Sequence, residues 1–180
     1  LGIFCADSSP VIRENVIIGM DSASLSADGI LLNDSSPQIM FNVIARVGGM
    51  GIRATGDSEP MIINNTIYDY GYYAGISFAA LNIGAVTPLI KNNIVARGNT
   101  APVGGILWSQ PAAPVVDYNL VYDPANVTGD GAYYAEHDGT TWNEMSGGPG
   151  AISADPLFVD PANDDFHLQA LSPAVDAGDP

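Results

Sequence analysis

Four oxygen-bearing side chains, Asp160, Asn163, Asp164 and Asp165, fall close together near the C-terminus, and such a hard-oxygen loop could hold calcium. The same run, Asp-Pro-Ala-Asn-Asp-Asp, also reads as plain turn chemistry, and its spacing is not that of an EF-hand. Tyr68, Tyr70, Tyr72 and Tyr73 form a second group. Their flat, amphipathic rings could stack on sugars or simply pack a corner. Arg53 is a candidate proton abstractor or clamp for a substrate carboxylate, with an exposed strand arginine as the plainer reading. His137, between Glu136 and Asp138, could act as a base, whereas His167 alternates with Phe166 and Leu168 as a solvent-facing strand residue does. The single cysteine, Cys5, allows no intrachain disulfide, and no Cys/His cluster suggests zinc.

The elements that must position these residues come from a repeat. The stretch Pro60-Met-Ile-Ile-Asn-Asn-Thr-Ile67 places Ile two, Asn five and an aliphatic residue seven positions after a proline. The same spacing starts at Pro10, Pro37, Pro88 and Pro114. Before each proline stands a Gly-Ile pair: Gly2-Ile3, Gly29-Ile30, Gly51-Ile52, Gly75-Ile76 and Gly105-Ile106. Successive glycines are 27, 22, 24 and 30 residues apart. Each unit therefore holds three short extended pieces with the two-residue period of strands and none of the 3.6-residue period of a helix. Proline suits the first residue of a strand, and glycine is expected to supply positive φ at a tight corner.

Three strands per unit, repeated every ~20–30 residues, predict a solenoid. Stacking equivalent positions ~4.8 Å apart sorts the interior into columns. These are Ile3, Ile30, Ile52, Ile76, Ile106; Cys5, Leu32, Ala54, Phe78, Trp108; Ile12, Ile39, Ile62, Ile90, Val116; and Ile17, Ile44, Ile67, Val95, Val121. Asn15, Asn42, Asn65, Asn93 and Asn119 stand at one corner, where stacked amides can bond from rung to rung and asparagine tolerates a left-handed backbone. The ladder is structural. Nine residues after each proline lie Gly19, Arg46, Asp69, Arg97 and Asp123, which predicts an exposed column of alternating charge.

The units GIxx…PxIxxNxI resemble the right-handed parallel β-helix repeats of the pectate-lyase-like superfamily, from Gly2 to about Asp123. The resemblance implies an all-β, right-handed parallel β-helix of about five coils over residues 1–123. From residue 124 the repeat stops. Residues 124–180 resemble the closing segment of secreted bacterial β-helix proteins, with the run DPLFVDP…DFHL…SPAVDAG. Residues 135–145 are expected to form a short helical turn around Trp142, and Phe158, Phe166 and Leu168 to plug the open coil end. The long loops at 81–87 and 97–103 should collect on one face.

Families of that superfamily cleave acidic polysaccharides, so their chemistry can be sought here. A lyase of this kind needs stacked carboxylates for calcium and a basic residue beside the uronate. The outward residues after Gly-Ile are Phe4, Leu31, Arg53, Ser77 and Leu107, with no Lys or carboxylate directly above or below Arg53. The polygalacturonase set of three carboxylates, Gly-His-Gly and Arg-x-Lys is not in the sequence.

Bulk composition narrows the partners. Twenty Asp+Glu against five Lys+Arg give a formal charge of −15, which repels nucleic acid and anionic lipid. No apolar run reaches the ~20 residues of a membrane helix. The first residue, Leu1, falls inside a repeat with no signal peptide before it, as in a processed or trimmed piece. The expectation is a non-catalytic extracellular or cell-surface scaffold of bacterial type, adhesive or filament-forming, with no cofactor other than calcium. Its partners would be polysaccharide or further copies of itself stacked end to end. The alternative is a fragment of a polysaccharide lyase or glycoside hydrolase with its catalytic rungs upstream.

Overall fold

A computed structural model of the protein describes residues 1–20, 27–78, 85–97, 104–123 and 134–179. Much of the two long loops, at 81–84 and 98–103, and the start of the closing stretch, at 124–133, lie outside the described residues. The rest is a β-solenoid with three parallel sheets. Sheet A stacks β1 (Ile3–Ala6), β4 (Ile30–Asn33), β7 (Ile52–Thr55), β10 (Ala74–Phe78), β13 (Gly104–Ser109) and β16 (Tyr134–His137), then ends on β17 (Trp142–Glu144). Sheet B stacks β2 (Val11–Arg13), β5 (Gln38–Met40), β8 (Met61–Ile63), β11 (Leu89–Lys91) and β14 (Val115–Asp117). Sheet C stacks β3 (Val16–Ile18), β6 (Val43–Val47), β9 (Thr66–Tyr70), β12 (Ile94–Ala96) and β15 (Leu120–Tyr122). The fifteen strands of five coils come from the five sequence units.

The register is the one the columns require. Ile3 pairs with Ile30 and Ile30 with Ile52, Ile39 with Ile62 and Ile62 with Ile90, Ile44 with Ile67 and Ile67 with Val95. In the middle rungs these side chains are fully buried, and all four columns join one core. Each buried aliphatic side chain contributes roughly 1.5–3 kcal/mol. A one-residue slip in any strand would turn that set outward, so the isoleucine columns fix the register as well as the stability.

The corners work differently from the expectation. The Gly-Ile glycines are not among those with positive φ. Gly51 is small because space is lacking: a Cβ there would lie 2.5 Å from Cγ2 of Ile67 and 2.6 Å from the carbonyl oxygen of Gly75 on the next rung. At the ladder corner the left-handed residues are Glu14, Phe41, Asn64, Asn92 and Tyr118, each one place before a ladder asparagine, with φ between 53° and 57°. The ladder amide makes that bend stable. Asn65 Nδ2 donates to the carbonyl of Ile63 two residues back (3.1 Å) and to that of Ile39 (2.9 Å), and its Oδ1 accepts from the backbone N–H of Asn42 (3.0 Å). The same set recurs at Asn42 and Asn93.

Two expectations about the C-terminal part are corrected. Residues 135–145 form no helical turn: β16 continues sheet A on β13 and then reverses into β17, with His137 opposite Trp142. Asp-Gly is a hairpin signal, and Gly139 at φ 100° is outside the helical region. The Asp138 carboxylate fixes the turn by accepting from the N–H of Thr140 (2.9 Å) and of Thr141 (3.0 Å). The parallel stack thus runs one strand past Asp123, the point where the Pro-x-Ile spacing stops, and residues near Ile152 bridge to Leu120. Nor do Phe158 and Phe166 plug the coil end. β18 (Phe158–Asp160) and β19 (Asp165–Leu168) form a hairpin laid along the flank of sheet C, where both rings meet Tyr68. The end of the stack is covered instead by β16 and by the stretch whose Pro149 and Ile152 carbonyls accept from Tyr118 and Val121.

Candidate functional site

The tyrosine group separates into three environments, because the left-handed Asp69 (φ 54°) breaks the alternation of β9 between Tyr68 and Tyr70. Tyr68 faces out, and its ring lies 5.7 Å from Phe158 and 5.5 Å from Phe166. Tyr70 faces in and is buried; its hydroxyl donates to the Gly104 carbonyl (3.2 Å), and burial pushes its phenol above the ordinary value. Burial leaves Tyr70 no face for a ligand, whereas Tyr68 is half-buried under the closing segment. Tyr72 and Tyr73 lie beyond the strand, on the outer side of sheet A. There Tyr73 packs against the small cluster of Ala74, Leu107 and Ala135.

The hairpin turn brings two further rings to Tyr72 and Tyr73. Ring centroids are 5.8 Å apart for Tyr72 and Tyr73, 5.6 Å for Tyr73 and Trp142, and 5.0 Å for Trp142 and His137. Tyr72 is 39% exposed and Trp142 38%. Burial raises the Tyr73 phenol, and an indole N–H from Trp142 works against that rise. Trp142 and His137 were not legible as members of this strip, since the stretch read as a helical turn; the Asp-Gly dipeptide between Glu136-His137 and Thr-Thr-Trp was the available signal.

Arg53 does have a carboxylate beside it. Its Nε lies 3.1 Å from Oδ2 of Asp28, whose other oxygen accepts from the Met50 N–H (2.9 Å). Asp28 is buried and Arg53 is half-buried. The sequence columns missed this contact because Asp28 precedes the Gly-Ile strand and lies at the corner, outside the strand positions.

The charge column also differs from an exposed ladder. Its register holds, since Ala45 pairs with Tyr68 and Val47 with Tyr70 on either side of Arg46 and Asp69. Arg97, however, is fully buried, 3.7 Å from Asp123 and over the ring of Tyr70 at 5.3 Å. Arg46 reaches the closing segment, bonding the Asp164 carboxylate and the Pro161 carbonyl (3.4 Å). Lys91 likewise bonds Asp179, which holds its ammonium pKa above the ordinary value. Between Tyr68, Arg97, Tyr122, Asp155 and Phe158 the docked segment leaves a cleft of about 320 Å³.

The oxygen-rich loop is built as a turn. Pro161–Asn163 form one 3-10 turn, Asn163 Nδ2 donates to Asp160 Oδ2 (2.8 Å), and Asp164 takes a left-handed φ of 66°. The Asp164 carboxylate is turned to Arg46 and that of Asp165 to His167 Nδ1 (2.6 Å), which holds the Asp165 carboxyl below the usual range. Among the described residues no three His, Cys, Asp or Glu side chains converge as metal ligands. The His167 ring is exposed.

A protein-family model described as "Right handed beta helix region" matches residues 1–147. No curated protein and no solved structure matches the chain.

Proposed function

Because the chain belongs to the right-handed β-helix family, we propose that it is a non-catalytic scaffold of an extracellular or cell-surface protein, whose outer faces bind instead of performing chemistry. One observation carries this reading: four of the five cations are committed to building the fold, and the fifth, Arg13, is exposed on β2 with Met40 rather than a carboxylate beside it on the next rung. Arg53 pairs with Asp28, Arg97 with Asp123, Arg46 with Asp164 and Lys91 with Asp179. Abstracting a proton next to a uronate carboxyl requires a cation or base standing free beside stacked acids. Here two cations stitch coils to one another and two fasten the closing segment to the coils. The adhesive or filament-forming role is the finer part of the proposal, and an acidic surface of charge −15 suits a soluble, outward-facing module.

The test is an assay of the full chain on polygalacturonate, alginate and neutral plant and microbial polysaccharides. Unsaturated uronate products would be read by ultraviolet absorbance and hydrolysis by new reducing ends. The expected result is no turnover on any of them. Turnover that disappears in the Arg53→Ala variant, with the fold retained by circular dichroism, would overturn the scaffold reading in favour of a polysaccharide lyase or hydrolase.

A further inference from the structure

We propose that the strip Tyr72–Tyr73–Trp142–His137 is a binding platform for neutral glycan chains. This deepens the scaffold reading and rests on it for the absence of turnover. Four rings follow one another at centroid spacings of 5.8, 5.6 and 5.0 Å along the outer side of sheet A, and Tyr72 and Trp142 are each a little over a third exposed. Pyranose rings expose C–H faces that stack on aromatic faces, while their hydroxyls need hydrogen-bonding partners at the margin. Both are present.

The platform is held in place before any ligand arrives. Tyr73 packs on Ala74, Leu107 and Ala135, so its ring is fixed from beneath. Trp142 and His137 are paired across the β16–β17 hairpin, whose turn is tied by Asp138 to Thr140, Thr141 and Asn143. The Gly139 N–H donates to His137 Nδ1 (3.3 Å), which ties the ring to the turn. A preorganised surface avoids the cost of ordering side chains on binding.

Charge selects the class of glycan. Residues 134–150 carry no Lys or Arg, and neither do residues 72–78. The charged groups of the exposed turn and edge are carboxylates: Glu144, and Asp138, whose oxygens already accept from Thr140, Thr141 and Asn143. Carboxylates accept bonds from sugar hydroxyls and repel uronates, sulfates and phosphates. A chain of uncharged hexoses or pentoses satisfies both requirements.

The test titrates the full chain with cellohexaose, xylohexaose, mannohexaose and hexagalacturonate, by calorimetry and by tryptophan fluorescence. Trp108 is buried, so a fluorescence change reports Trp142. At least one neutral hexasaccharide is expected to bind, with hexagalacturonate weaker. Trp142→Ala and Tyr72→Ala should each lower that affinity by about 2- to 12-fold, the range for one aromatic contact. Tyr72 supports no strand pairing, so its variant keeps the test valid if loss of Trp142 opens the hairpin. Binding of none of the neutral probes, wild-type affinity in both variants, or tighter binding of hexagalacturonate would overturn the proposal. Shortened sugar products would instead sink the non-catalytic reading and leave the platform standing.

Discussion

The guanidinium carbon of Arg97 sits 5.3 Å from the centre of the Tyr70 ring, and both side chains are buried. A charged group is tolerated there because Asp123 stands 3.7 Å from Nη1 and the ring face supplies a second attraction.

Arg97→Met would remove one partner and leave Asp123 without its cation. Breaking such a buried pair on one side costs about 3–5 kcal/mol. The double variant Arg97→Met/Asp123→Leu should recover most of that loss, since the uncompensated charge disappears with it. Urea unfolding of the wild type, the single and the double variant checks the prediction. A single variant within about 0.5 kcal/mol of wild type would show that the pair does not matter to stability.

The asparagine ladder predicts a rung dependence. Asn65 is buried and exchanges bonds with Asn42 below and Asn93 above, besides closing its own corner. Asn65→Ala strands the carbonyl of Ile39 and the N–H of Asn42, at roughly 1–3 kcal/mol for each buried orphan. Asn15 is less buried, and among the described residues its amide bonds only upward to Asn42 and back to Arg13. Asn15→Ala should therefore cost about 1 kcal/mol. Equal losses at the two rungs in thermal unfolding would contradict the ladder as a cooperative chain.

How far the sequence disclosed this molecule follows from what repeats. The isoleucine columns, the strand register and the asparagine corner were legible because stacking forces the same residue type into the same place on each rung. The corner glycines were found for the wrong reason: position alone cannot tell a residue chosen for φ from one chosen for lack of room. Asp28 beside Arg53, and Trp142 beside Tyr73, could not be read from any column. Both contacts join a loop residue to a strand or corner residue, at sequence offsets that occur once. The closing segment was read as a plug because its rings are apolar, whereas Tyr68, Arg46 and Lys91 draw it along the flank. The candidate site lies in these single-occurrence contacts, so it was the least legible part.

The hairpin that carries Trp142 should resist acid. Hydrogen bonds from the Thr140 side chain, the Thr141 backbone, the Asn143 amide and the Thr140 backbone hold the Asp138 carboxyl well below the usual carboxylate range. A group with a depressed folded pKa contributes stability above its unfolded value and loses it as pH falls through the folded value. The turn should thus persist through the ordinary aspartate range near ~3.9 and open only at lower pH. The Asp138 carboxyl carbon shift and Trp142 fluorescence, followed together on acid titration, report this. Opening already near the ordinary aspartate value would refute the role of those four bonds. Asp138→Ala should loosen the hairpin at neutral pH while leaving the ladder amides protected.

The closing segment should come off the coils as a unit when Tyr68 is truncated. Its anchors are the three-ring contact of Tyr68, Phe158 and Phe166, where the two phenylalanines also meet edge to face at 5.5 Å, and the pairs Arg46–Asp164 and Lys91–Asp179. The ion pairs are partly exposed and contribute roughly 0–1 kcal/mol each, less in high salt. The two Tyr68 ring contacts contribute about 0.5–1.5 kcal/mol apiece beyond their area. Tyr68→Ala should therefore raise hydrogen exchange at Gln169 and Ser172, whose N–H groups bond within the segment, and more so at high salt. The amides of Asn42 and Asn65 should stay as protected as before, because the ladder does not depend on the segment. If exchange rises equally in ladder and segment, the two form one cooperative unit and the picture of a separately docked strap is wrong. If neither changes, the rings are neighbours without being anchors, and the coils hold the segment through its backbone contacts to Asn92 and Tyr118.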